Sequence, residues 1–166
     1  MTSPIRTDGS ALTRPKDNLQ FVAGANIGGE DVGQGTIRAD VLLADYNTTA
    51  NVLFAISDGG AAADRIVGYV SSAELFTFTT SASGGNGGAG NVAGDCTNGV
   101  KHELALLYDT DNVRVIRDGS EGTADSSADI PDDLDALAIG QNNTATLQTN
   151  GLIQNLRIYN IPTTKG

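Results

Sequence analysis

The chain has 166 residues, a length that suits a single domain, since domains commonly run to about 100–200 residues. Ten Lys and Arg against twenty Asp and Glu give a net charge of −10, which argues against nucleic-acid partners and anionic membrane surfaces, because both are bound through clustered basic residues. With 39% hydrophobic residues, 18% charged residues and 21 glycines, the composition excludes a charged disordered tail and a leucine-rich helical protein, and it favours strands joined by turns.

Residues 1–20 contain few apolar side chains and two of the four prolines, so we expect an extended N-terminal arm outside the core. The alternative is a terminus that lies on the surface without a contact role. The segment lacks the apolar run of a signal peptide, and no stretch of the chain suits a membrane span, so we expect synthesis in the cytoplasm. The candidates for assembly contacts are its three basic residues, Arg6, Arg14 and Lys16.

Four segments in the first half of the chain are predicted to be strands, because β-formers dominate each and turn residues separate them. In the last of them Phe76 and Phe78 alternate with threonines, which is the period of a strand with one buried face. The four segments are residues 37–43, 52–56, 65–72 and 74–81.

A glycine-rich stretch, SASGGNGGAGNVAG, occupies residues 81–94. Glycine loses the most conformational freedom on ordering, so we expect a flexible loop here and neither a strand nor a helix. A phosphate-binding P-loop is excluded, because its pattern requires a lysine that this stretch lacks.

The clearest hairpin signal lies in KHELALLYDTDNVRVIRDGS, where residues 103–108 and 113–117 are rich in strand formers and residues 109–112 are turn formers. The sequence therefore predicts a hairpin with a four-residue turn. Alternation places two sets of side chains on opposite faces of the first strand. One set is Leu104, Leu106 and Tyr108, and the other is Glu103 and Ala105.

The remaining chain predicts a second turn at Asp118-Gly119, an acidic, serine-rich loop over residues 121–135, and strands at 137–140 and 151–159. Residues 132–138 allow at most one short helical turn, and no apolar stripe at helical spacing persists elsewhere. Short strands separated by turns in a chain of this length predict an all-β antiparallel sandwich or jelly roll.

The order of these segments resembles the second half of laminin-G-like, concanavalin A-type jelly rolls. The resemblance is carried by HELALLYD, then Arg-Asp-Gly, then LAIG, and finally NGLI leading into LRIYN; it spans about residues 35–161. It implies an antiparallel jelly-roll domain over residues 21–166 behind the arm of residues 1–20. The chain departs from many relatives in having no tryptophan, and position 100, where they carry one, is Val100.

The enzymes of the concanavalin A-like family carry an E-x-D-x-x-E array on one strand, with one carboxylate as nucleophile and one as acid. None of the four glutamates here begins such an array, so we expect no glycoside hydrolase activity. Because the chain has a single histidine and no nucleophile motif such as G-x-S-x-G, we expect no other enzymatic activity either. Cys96 and the single histidine, His102, could form a nucleophile and its base, but nothing nearby in the sequence would orient His102. A structural thiol is the favoured interpretation. The four glutamates are Glu30, Glu74, Glu103 and Glu121.

Laminin-G-like domains often bind one calcium ion at the rim through a loop aspartate and backbone carbonyls. Aspartates are abundant here but follow no EF-hand spacing, so we expect no cofactor, and we interpret the aspartates at 129–135 as a solvated acidic loop. The candidate oxygen ligands are Asp58, Asp64, Asp109, Asp111, Asp129, Asp132, Asp133 and Asp135. For each tyrosine we favour core packing over a platform for sugar rings. The tyrosines are Tyr46, Tyr69, Tyr108 and Tyr159.

The basic arm joined to one small laminin-G-like domain resembles structural proteins of tailed bacteriophages. The resemblance implies a protein on the virion surface that decorates the capsid or belongs to the tail, with the major capsid protein as partner. We expect a homo-oligomer, with a trimer favoured by analogy. The alternative is a lectin-like module that binds glycans on the host-cell surface.

Overall fold

The computed structural model describes residues 33–44, 50–58, 64–82, 87–92, 99–131, 134, 136–142, 147 and 149–159, which form ten β-strands and no helix. The first five strands are β1 (Gly35–Leu43), β2 (Asn51–Ser57), β3 (Arg65–Val70), β4 (Phe76–Ser81) and β5 (Ala89–Val92). The last five are β6 (Lys101–Asp109), β7 (Asn112–Arg117), β8 (Ser120–Glu121), β9 (Ala136–Ile139) and β10 (Gly151–Tyr159).

The strands form two antiparallel sheets of five strands each. Sheet A has the order β10-β1-β6-β7-β8, and sheet B has the order β5-β4-β3-β2-β9. The predicted all-β antiparallel sandwich is therefore confirmed, and the strands expected in the sequence are present within a few residues of their predicted ends. No helix of the described chain has the length and apolarity needed to span a bilayer.

The core lies between the two sheets, because every second side chain along each strand points into that space. Phe54 and Phe78 of sheet B have ring centroids 6.4 Å apart, and Phe78 and Tyr108 of sheet A lie 6.0 Å apart. The predicted faces of β6 are confirmed: Leu104, Leu106 and Tyr108 are buried, whereas Glu103 is exposed and Ala105 half-buried. Burial raises the pKa of Tyr108 to about 12.

Both tight turns of sheet A have two residues. The β6–β7 turn is shorter than predicted: Asp109 pairs with Asn112 in the ladder, because Asp111 takes the left-handed conformation at φ 62°, which aspartate tolerates. The turn between β7 and β8 is the predicted one. Asp118 and Gly119 both have positive φ, 48° and 79°, as a type I′ hairpin turn requires.

The expectation of a flexible loop over residues 81–94 is wrong for residues 89–92, which form β5 and pair with β4. At Gly90 the missing side chain serves close approach of two backbones, since a Cβ there would lie 2.8 Å from the Val113 carbonyl oxygen. Asn91 also forms a backbone bridge with Thr123 in both directions, at 3.0 and 2.7 Å. Hydrogen bonds and contact with sheet A thus offset the entropy lost when this segment becomes ordered.

Other expectations fall partly or wholly beyond the described residues. The N-terminal arm and the domain boundary at residue 20 lie there, and so do residues 132, 133 and 135. Residues 136–138 belong to β9, so the short helical turn considered for residues 132–138 does not extend into them.

We predict that Gly90→Ala lowers the free energy of unfolding by about 1–3 kcal/mol, because the added methyl group forces β5 away from β7. Urea unfolding followed by circular dichroism measures the change. Ala89→Ser is the matched control, since Ala89 is the exposed neighbour in the same strand, and it should change stability little. Equal stability of the two variants would contradict a packing role for Gly90.

Candidate functional site

A groove lies on the face of sheet B that points away from the core. Side chains alternate along β4, so burial of Phe76 and Phe78 turns the threonines between and after them outward. Strand pairing then places Thr77 beside Tyr69 and Thr79 beside Val67. This groove face is therefore built from three cross-strand rows on β2, β3 and β4. The rows are Val52–Tyr69–Thr77, Ala55–Val67–Thr79 and Ser57–Arg65–Ser81.

The groove has a volume of about 500 Å³, within the range of small-ligand sites. Its floor is apolar, because Val52 and Val67 line it. With Ala55 they form a small buried cluster separate from the main core, and Tyr69 packs against this cluster. Polar side chains surround this floor. The lining residues are Ala50, Val52, Arg65, Val67, Tyr69, Thr79, Thr80, Ser81, Asn142 and Leu147.

One wall of the groove comes from described residues between β9 and β10, two of which donate hydrogen bonds to β2. Gly140 N donates to the Leu53 carbonyl at 2.7 Å, and Thr149 Oγ1 donates to the Val52 carbonyl. Within the segment, Asn142 N donates to the Leu147 carbonyl at 3.1 Å, and Leu147 N donates to Asn142 Oδ1 at 3.2 Å. These bonds fix Asn142 and Leu147 at the groove.

Arg65 is the one charged side chain among the described residues that line the groove. It is half-buried, its cross-strand neighbours are Ser57 and Ser81, and none of the ion pairs formed within the described part of the chain includes it. Tyr69 is half-buried four residues further along β3. The groove thus offers a tyrosine ring, a guanidinium group, hydroxyls and an amide over an apolar floor.

Two of the tyrosines pack against apolar clusters, as predicted. Tyr108 lies in the main core, and Tyr69 packs against the small buried cluster while also lining the groove, a position that was not predicted. Tyr159 ends β10 in sheet A, and Tyr46 is not among the described residues. Alternation along RIVGYV already places Arg65, Val67 and Tyr69 on one face, but it does not say which face is open.

The candidate calcium ligands that the structure describes lie at three separate places, at one of which Asp58 N donates to the Asp64 carbonyl at 3.1 Å. Asp58 and Asp64 flank the β2–β3 connection, Asp109 and Asp111 lie at the β6–β7 turn, and Asp129 is exposed on a loop. The described residues contain no group of three or more His, Cys, Asp or Glu side chains that could hold a metal ion. Asp132, Asp133 and Asp135 are outside the described residues, as are the assembly candidates Arg6, Arg14 and Lys16.

The expectation that nothing orients His102 is wrong. His102 Nδ1 lies 2.8 Å from Asp118 Oδ2 and donates to it, and the ring meets Phe76 edge-on, with centroids 5.4 Å apart. The predicted hairpin brings these residues, sixteen positions apart, to the same end of two paired strands, but local patterns do not show the contact between their side chains. Its proposed partner Cys96 lies outside the described residues, as does Glu30. The remaining glutamates are on separate elements: Glu74 follows β3, Glu103 is on β6 and Glu121 on β8.

Two aspartates of sheet A are held ionised by their neighbours. For Asp118, partial burial is the largest single influence and raises the pKa. Hydrogen bonds from His102 and Glu103 N, together with the charge of Arg117, outweigh it, so the pKa of Asp118 is lowered from 3.8. Hydrogen bonds from Asn155 at 2.9 Å and Lys101 at 3.3 Å likewise lower the pKa of Asp40.

The chain belongs to the concanavalin A-like lectin/glucanases superfamily, whose laminin-G-type family model matches residues 15–165. No curated protein matches it in sequence. The CBM40 module of the Ruminococcus gnavus IT-sialidase is similar in fold, with 14% identity, a TM-score of 0.71, and 92% of this chain and 91% of that chain covered.

Two further structures share the fold. Domains LG4-5 of the mouse laminin alpha1 chain align at 11% identity and a TM-score of 0.65, over 90% of this chain and 41% of that one. Domain 4 of AbnA, a GH43 extracellular arabinanase from Geobacillus stearothermophilus, aligns at 19% identity and a TM-score of 0.63, over 80% of this chain and 63% of that one. The predicted laminin-G-like resemblance is thereby confirmed.

We predict that Asp118→Asn flattens the loss of stability in acid. The pKa of Asp118 is lower in the folded chain than in the unfolded chain, so its contribution is present above the unfolded value near 3.8 and is lost as the pH falls through the folded value. Urea unfolding at a series of pH values from about 5 down to about 2 measures the free energy of unfolding for both proteins.

His102→Gln provides a second arm of this experiment, because it removes one hydrogen bond that favours the ionised carboxylate. It should also reduce the loss of stability in acid, but by less than Asp118→Asn does. Circular dichroism at neutral pH serves as the control that both variants keep their β-structure. Superimposable acid profiles for Asp118→Asn and the unsubstituted protein would refute the assignment.

Proposed function

We propose that this superfamily member is a glycan-binding module and that the groove on sheet B is its binding site. The observation that carries the proposal is the tyrosine ring beside an apolar floor, with hydrogen-bonding groups around it: Thr79, Ser81, Asn142 and Arg65. A well-formed pocket with a few convergent polar groups is the expected form of a small-ligand site.

A sugar ring has an apolar face made of C–H groups and a rim of hydroxyls, so it needs both kinds of contact at once. Tyr69 supplies an apolar ring with a polar tip, and Val52 and Val67 extend the apolar surface. The threonine and serine hydroxyls and the Asn142 amide both donate and accept hydrogen bonds, which suits the hydroxyl rim.

The solved structures that share this fold support the proposal. The Ruminococcus gnavus CBM40 module has been determined bound to alpha2,3 sialyllactose, and AbnA domain 4 in complex with arabinotriose. At 14% and 19% identity their ligands do not transfer directly. The groove, with its own residues, is the feature that makes glycan binding the better supported of the two functions considered from the sequence.

We propose binding without turnover, and without a cofactor, as the role of this domain. The virion-surface role, assembly through Arg6, Arg14 and Lys16, partnership with the major capsid protein, the trimer and synthesis in a host cytoplasm stay predictions from the sequence. A glycan-binding module on a virion would satisfy both functions, since attachment to host glycans is a task of particle surfaces.

We predict that Tyr69→Ala lowers affinity for a bound glycan by about tenfold or more, because aromatic anchors dominate binding energies. A glycan array that includes sialyllactose and arabinotriose identifies the bound sugars, and isothermal titration calorimetry then measures the dissociation constants. Tyr69→Phe keeps the ring and should retain most of the affinity.

The matched control is Leu152→Ala, which removes an exposed apolar side chain from the outer face of sheet A. It should bind as tightly as the unsubstituted protein. Binding by Tyr69→Ala at full affinity would show that the groove is not the site, and an array without any bound glycan would contradict the function itself.

A further inference from the structure

We infer that the groove selects an acidic oligosaccharide, whose carboxylate binds the Arg65 guanidinium while another ring of the same ligand packs against Tyr69. This inference rests on the proposed function and narrows it to one class of ligand. It follows from the surroundings of Arg65, from the chemistry of its side chain and from the spacing of Arg65 and Tyr69.

Arg65 differs from the cations of sheet A that have acidic partners. Lys101, Arg114 and Arg117 lie 3.3, 3.6 and 3.8 Å from carboxylates of Asp40, Glu121 and Asp118. Arg65 instead lies between Ser57 and Ser81 in the sheet, and the ion pairs within the described part of the chain do not include it. Its charge is therefore available to a ligand in the groove.

The setting of Arg65 favours a carboxylate over a neutral hydroxyl. The guanidinium is planar, stays charged, is weakly hydrated and matches both oxygens of a carboxylate with two parallel hydrogen bonds. Val67 is buried two residues from the half-buried Arg65 on the same face of β3, so the site is less open to water than a fully exposed surface. A neutral sugar would make hydrogen bonds here but would leave the half-buried positive charge without a counter-charge.

The spacing along β3 sets the size of the ligand. Arg65 and Tyr69 share one face and are four residues apart, which at about 3.3 Å per residue separates their backbone positions by about 13 Å. A single ring is too short to contact both side chains fully. An oligosaccharide with its acidic group at the Arg65 end and a second ring at Tyr69 fits this distance.

The test uses ligand pairs that differ in carboxylate charge and hardly in size: trigalacturonic acid with its methyl ester, and 3′-sialyllactose with its methyl ester. For at least one pair, calorimetry should give the acidic member about tenfold or more higher affinity. Arg65→Gln should abolish that preference, because it lowers the affinity for the acidic member more than the affinity for the neutral member. Arg65→Lys, which keeps the charge without the planar fork, should retain part of the preference.

Arg157→Gln is the matched control, since it removes an arginine from β10 on the outer face of sheet A and should leave the preference intact. Equal affinity of the unsubstituted protein for both members of every pair overturns the inference, as does a preference that survives in Arg65→Gln. Thermal unfolding checks the fold of each variant. If Arg65→Gln does not fold, Arg65→Lys serves as the test. A folded Arg65→Lys that keeps the full preference for the acidic ligand would overturn the role of the planar guanidinium.

The two proposals fail in distinguishable ways. Neutral glycans bound through Tyr69, with no contribution from Arg65, would overturn the acidic ligand and leave glycan binding in place. Failure to bind any glycan, acidic or neutral, would overturn both.

Discussion

The contact of Phe78 with Phe54 and Tyr108 determines which side chains lie on each face of sheet B. Phe78 packs between the sheets at 6.4 and 6.0 Å from the two other rings, so its neighbours Thr77 and Thr79 must point outward. Strand pairing then fixes Tyr69 beside Thr77 and Val67 beside Thr79. The groove is thus the reverse side of the core, and a one-residue slip in register would exchange their side chains.

Glycine has two different roles in this chain, which explains why the glycine content alone misled the prediction of a flexible loop. At Gly119 it permits the positive φ of a type I′ turn, and at Gly90 it allows two backbones of different sheets to approach. The second role orders the chain: β5 forms where a flexible loop was expected, and it closes one edge of the sandwich against β7. A high glycine content therefore predicts neither flexibility nor rigidity until the neighbouring strand is known.

Alternation and turn chemistry made most strands predictable, because both are properties of adjacent residues. The faces of β6 and the turn at Asp118-Gly119 followed directly from such local patterns. The groove did not, because Asn142 reaches it from a segment about ninety positions along the chain from Val52, held by bonds such as that of Thr149 to the Val52 carbonyl. The predicted hairpin brings Asp118 beside Glu103, but it does not show the side-chain contact of Asp118 with His102. Sequence patterns gave the face of Tyr69 but not the wall that makes it a site.

A net charge of −10 does not oppose the binding of a small acidic ligand, because the overall charge and the charge at one contact act at different distances. A nucleic acid needs many phosphates neutralised over an extended surface, so an overall excess of carboxylates argues against it. An oligosaccharide with a single carboxylate needs one cation at contact distance, and salt screens the more distant charges beyond about 8 Å at physiological ionic strength. A carboxylate bound to the half-buried Arg65 would lie well inside this screening length. Composition therefore constrains partners with dense charge, whereas specificity for a small acidic ligand depends on the local environment of one arginine.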